Sequence, residues 1–250
     1  MFGDLLKYDF LNKNINNEDI ENVKKIIDVE NMKLTYFQEL HKNETKFKNK
    51  ELFENERFYL LSLNRSISDL QISFLNVYYY RNMNKSINPK HKLYRLKDTT
   101  CYEELYFYYF FITIDNIFKI IDKTAILLND SLCLELNKQD NNLNLSVINK
   151  MKKLSNKQTE EISNYLNYMC NYKNSKMYSM KEKYRNKNTH DFTNEIPKYR
   201  IIDNQILFDE SLKIDETYDD LLMLFNELKE YIKLVDRIVL YSIKIQGSDK

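Results

Sequence analysis

Two glycines and two prolines in 250 residues constrain this chain more than any other feature of its sequence. Glycine supplies the positive-φ conformations of tight turns, and proline presets their first bend. A sheet-rich fold needs such residues every 8–12 positions or so. A chain this poor in both is therefore expected to run in long helices. The two glycines, Gly3 and Gly247, stand at opposite ends of the chain. No glycine-rich phosphate loop can be built from them, which removes P-loop and dinucleotide-binding readings. The chain is nonetheless meant to fold: 43% of it is hydrophobic and 14% aromatic, enough to fill a core.

The periodicity supports helices along most of the length. Residues 18–48 read as one or two helices. In 49–85, Phe53, Leu60, Leu61, Leu63, Ile67, Leu70, Phe74, Leu75 and Tyr78 recur at steps of three and four, as on one long amphipathic helix. Residues 86–100 hold Pro89 and a basic cluster and read as a loop. Thr99 and Thr100, followed by Glu103 and Glu104, suit a capped helix start. The helix that follows is apolar nearly all round, as expected of one covered on every side, with Asp115, Lys119 and Asp122 as an ionic ladder on whatever face escapes burial. After a polar loop over 136–146, helices are expected at about 147–170 and 174–190. Pro197 marks a break, 199–210 alternates like a short β-hairpin around Asp203-Asn204, and a last helix with an acidic start spans about 215–245. The expectation is one all-α domain over 1–250, a bundle of five to seven long helices.

Charge and cysteines narrow the setting. A net charge of +1 excludes a histone-like polycation but not local basic patches. Cys101, Cys133 and Cys170 are odd in number and form no CxxC pair, as expected of free thiols in a reducing cytoplasm. The opening "MFGDLLKYDF" carries acids and lacks the apolar core of a signal peptide. The longest apolar run, Leu105 to Ile114, falls short of the roughly 20 residues that span a bilayer. A cytoplasmic protein that avoids the membrane is expected. His41 and His91 lie among lysines and read as surface residues. The three histidines have no ligand spacing with cysteine or one another, and there is neither HExxH nor GxSxG. No metal and no cofactor is expected.

That leaves "KYRNKNTHDF", residues 183–192, where Arg185 and Asn186 precede His190. An arginine followed by Asn, with histidine four to six positions further on, late in a helical chain, resembles the R-x(4–6)-H signature of the HEPN superfamily. The motif itself covers 185–190, and the helical pattern that accompanies it covers about 101–250. The resemblance implies a helical bundle that dimerises and acts as a metal-independent endoribonuclease, in toxin–antitoxin, abortive-infection or other antiviral systems. A defence-system partner or antitoxin protein is then expected beside the RNA and the second copy.

The residue types suit that chemistry. Cleavage of RNA by its own 2′-OH needs a base for the hydroxyl proton, an acid for the departing 5′-oxygen and positive charge for the phosphate. His190 can serve as acid or base because imidazole titrates near neutrality. Arg185 can grip phosphate oxygens in its planar fork, and Asn186 can donate to phosphate or orient its neighbours. Lys183 and Lys187 are candidate RNA-backbone contacts, in a stretch (173–200) with eight Lys or Arg against three Asp or Glu. Tyr172, Tyr178 and Tyr184 share the helical spacing of the apolar residues and read as core. On an α-helix, residues five apart are turned about 140° and rise about 7.5 Å, so Arg185 and His190 of one chain would not share a face. Either the helix frays at Asp191, or the site is completed by a second chain across a two-fold axis, which suits an isologous dimer. Two other functions fit the same residues: a catalytically inactive module that binds RNA or a nucleotide, and a helical interaction protein whose Arg and His only end a helix.

Overall fold

The computed structural model describes residues 15–27, 50–86, 101–139, 143–153, 160–186, 199–202, 205–208 and 213–248. The fold is all-α. Helix α1 spans Asn17–Ile27 and opens with a reciprocal cap: the Asp19 amide donates to Asn16 Oδ1 at 2.9 Å, and the Asn16 amide donates to Asp19 Oδ2 at 3.3 Å. Helix α2 spans Lys50–Ser86, unbroken as the lack of Gly and Pro demands. Its buried stripe runs through Leu60, Leu63, Ile67, Leu70 and Phe74. Leu61, expected on that stripe, is 54% exposed. One position past Leu60 it is rotated about 100° away from it, onto the face of exposed Phe58 and Arg65.

Helix α3 spans Cys101–Ser131. Contrary to the expectation of cover on every side, Tyr108 is 60% exposed, whereas exposed Lys119 and half-buried Asp115 and Asp122 lie on a face that escapes burial, as expected. The end of α3 is closed by two backbone bonds, Leu134 N–H to Asn129 O at 2.9 Å and Cys133 N–H to Asp130 O at 3.0 Å. This is a Schellman cap, and Cys133 takes the left-handed position (φ 50°) that glycine usually fills. Helix α4 spans Leu143–Lys153, starting four residues before the expected 147, because Leu143 and Val147 already belong to its buried face. Helix α5 spans Glu160–Asn171.

The helix expected over 174–190 takes a different form. A 3₁₀ turn at Tyr172–Asn174 is followed by a short helix α6 at Lys176–Met180 and then a π-helical turn at Lys181–Asn186. Ser175 causes the first break. Its backbone is extended, its Oγ donates to Tyr172 O at 2.6 Å, and the same Oγ accepts the Tyr178 amide at 3.1 Å, as a helix N-cap. Strands β1 (Tyr199–Ile202) and β2 (Gln205–Phe208) pair antiparallel, with Tyr199 opposite Phe208, which places the hairpin where the alternation puts it. Helix α7 spans Ile214–Ser248. The sequence readings for 28–49 and 87–100, with His41, His91 and the basic loop, lie outside the described residues.

Two compact units share these elements. The first comprises Met1–Asp28, Asp69–Asn116 and Ser179–Phe225. Its core joins Ile20, Val23 and Ile27 of α1 to Phe74, Phe110, Leu221 and Phe225, all buried. Phe74 stacks on Tyr218 at 5.8 Å and meets Phe225 edge-on at 4.6 Å. The second comprises Val29–Ser68, Ile117–Tyr178 and Asn226–Lys250. Buried Tyr165 and Tyr231 lie at its centre, and the Tyr231 and Thr124 hydroxyls share a hydrogen bond of 2.5 Å. Glu227 accepts the Lys176 and Met177 amides at 3.2 and 2.7 Å and so caps the start of α6. Among the described residues, no helix is long and apolar enough to cross a membrane.

Candidate functional site

The RNxxxH segment begins on the π turn. Hydrogen bonds closing from i to i+5 widen such a turn relative to an α-helix, and isolated π turns of this kind occur often at functional sites. Arg185 and Asn186 contribute the last two backbone positions of this turn, while their side chains, like Lys187 and His190 as a whole, lie outside what the structure describes. The 140° offset between Arg185 and His190 presupposes α geometry. The described π turn ends at Asn186, and residues 187–190 lie outside the described residues.

The residues just before Arg185 are held firmly. Tyr184 is 1% exposed, its ring edge-on to Phe110 at 5.0 Å. This agrees with the core reading of its spacing. Its hydroxyl donates to Asp220 Oδ2 at 2.5 Å, and burial, followed by this bond to a carboxylate, pushes the phenol well above its ordinary value. Lys183 Nζ donates to the same oxygen at 3.0 Å and lies 4.7 Å from the Tyr184 ring centre. Lys183 is 48% exposed, which limits the strength of its pairing with Asp220. Tyr172 and Tyr178, grouped with Tyr184 by spacing, are half-buried and meet edge-on at 5.7 Å in the second unit.

The same end of α7 holds a second set of charges. Asp215 Oδ1 accepts Arg81 Nη2 at 2.9 Å and Nε at 3.2 Å, with Lys85 Nζ at 3.2 Å. These bonds, Arg81 first, hold the Asp215 carboxyl below the usual carboxylate range. The Arg81 guanidinium lies 3.8 Å from the Tyr218 ring centre, and burial pushes the Tyr218 phenol up to about 12. The Tyr106 hydroxyl fixes the first turn of the helix through Ile214 O and Thr217 Oγ1, both at 3.0 Å.

Sequence reasoning took the acids at the start of α7 as a helix-dipole feature and missed their partners. One signal was present. Asp220 lies beyond the first turn, where the dipole gives it no reason to be, among Tyr218, Leu221 and Leu222. A carboxylate at such a place implies a tertiary donor.

The family scan matches residues 59–245 to the HEPN_Cthe2314-like HEPN family. That span is three quarters of the chain and includes the whole of 185–190. Among curated proteins and among solved structures there is no match. An all-α chain whose RNxxxH segment falls inside a family match of this extent belongs to the HEPN superfamily.

Proposed function

We propose that this protein is a metal-independent HEPN endoribonuclease that cleaves RNA by 2′-OH attack, with Arg185 and His190 acting at a dimer interface. HEPN membership over 59–245 supports this reading, because the matched span includes Arg185, Asn186 and His190 and the HEPN resemblance implies ribonuclease chemistry. Arg185 binds the scissile phosphate and keeps its charge throughout. His190 moves the proton, as base at the 2′-OH or as acid at the 5′-oxygen, and Asn186 orients phosphate. Lys183 and Lys187 hold the flanking backbone, with an affinity that falls as salt rises. The dimer rests on the family resemblance and on the offset expected between Arg185 and His190 along a helix. A toxin–antitoxin or antiviral setting in a bacterium, with a partner protein, completes the reading.

The test incubates purified wild type, Arg185→Ala and His190→Ala with mixed RNAs in EDTA. Cleavage by wild type that disappears in both variants is expected. RNA binding without cleavage selects an inactive binding module instead, and absence of both selects a helical interaction protein. Loss of wild-type cleavage in EDTA would count directly against the metal-independent mechanism.

A further inference from the structure

Tyr184 and Lys183 are consecutive, and both donate to one oxygen of Asp220, at 2.5 and 3.0 Å. The next residue is Arg185. A π turn is a rare geometry that persists where its surroundings over-determine it. Here they do so from two sides. The Tyr184 ring is locked against Phe110, and the hydroxyl at its tip is tied to α7. Asp220 is itself only 14% exposed, so loss of either donor leaves the carboxylate poorly compensated.

We propose that Asp220 is a positioning residue for Arg185. Through Tyr184 and Lys183 it holds the Lys181–Asn186 turn in its π form, and so fixes the backbone from which Arg185 reaches the phosphate. This rests on the role assigned to Arg185 above. Asp220 touches no substrate and moves no proton; it acts through the chain.

The experiment uses the full chain and three variants: Tyr184→Phe, which keeps the ring, Asp220→Asn, which keeps the shape, and the two combined. Four quantities are read: kcat, KM, the thermal midpoint, and amide hydrogen exchange across 181–186. A displaced phosphate ligand should lower kcat about 10- to 100-fold in each single variant, with KM close to wild type and a midpoint lowered by the unpaired group. The double variant should be no worse than the poorer single, because the two groups act as a unit. Exchange should quicken in 181–186 and nowhere else. A lower midpoint with kcat unchanged would mean a purely structural contact and would overturn the proposal, as would unaltered exchange. If Asp220→Asn fails to fold, Tyr184→Phe carries the test alone. Should wild type cleave no RNA, the ribonuclease reading fails by that result. Exchange then still decides the point: acceleration confined to 181–186 supports the role of Asp220 in holding the turn, and unchanged exchange sinks it.

Discussion

Asp215 shows what a single residue adds that no local pattern reveals. Its acidic character at the start of α7 is legible as a helix-dipole preference, but Arg81 stands 134 positions away in sequence. Only the fold brings them together. The consequence is a pH dependence whose sign follows from the depressed carboxyl. A group with a lowered folded pKa contributes stability above its unfolded value, here 3.8, and loses that contribution as pH falls through the lower folded value. Asp215→Asn should therefore unfold at lower urea than wild type at pH 7, with the difference constant down to about pH 5. Below pH 4 or so the two should converge. Because Asp215 is 66% exposed, the gap should stay under about 1 kcal/mol and shrink in salt. A gap that survives intact at pH 2 would show that the carboxylate charge is irrelevant. The same division holds at Tyr184: its burial follows from apolar spacing, whereas its bond to Asp220 could be suspected only from the odd placement of that carboxylate.

Elements were legible where a long periodic run met few breakers, and less so where polar side chains redirect the backbone. α2, α3 and α7 lie within a few residues of their expected limits because they hold no proline, and polar side chains such as Ser66 and Thr113 bond back to the carbonyl four residues earlier without breaking the helix. The stretch after Asn171 departs from expectation since Ser175 offers its own hydroxyl as a cap, and the π turn depends on a tertiary anchor that periodicity cannot encode. The end of α3 shows what glycine scarcity costs. Asn129 stitches the exit with two bonds to Leu136, at 3.1 and 3.0 Å, while Cys133 sits at φ 50° without the freedom glycine has there. A left-handed residue with a Cβ carries a penalty on the order of 1 kcal/mol, and glycine removes it at some cost in unfolded-state entropy. Cys133 is exposed, so the substitution uncovers little buried surface. Cys133→Gly should raise stability by about 0.5–1 kcal/mol, seen as a higher denaturant midpoint at unchanged slope. A lower midpoint would show that the cysteine side chain holds the cap in a way its exposure conceals.

For the whole molecule, the question is whether one chain or two make the proposed site. Arg185 lies on the backbone of the π turn, and His190 lies outside the described residues. The dimer proposal then splits into two: a dimer of complete sites, or a dimer whose sites each take Arg185 from one copy and His190 from the other. Mixing two dead variants separates them. When Arg185→Ala and His190→Ala chains are combined and exchanged, about half the dimers are hybrids. If sites are shared, each hybrid regains one intact site, built from the Arg185 of one chain and the His190 of its partner, and loses the other. Activity should return to about a quarter of wild type in an equal mixture, since half the dimers each carry half the normal sites. If each chain holds its own site, every site in the mixture lacks one group, and no activity returns at any ratio. Dilution adds an independent check, because shared sites lose specific activity as dimers dissociate. Restoration that rises with the hybrid fraction and fades on dilution would establish the shared site. A dead mixture of well-formed hybrids would assign both groups to one chain.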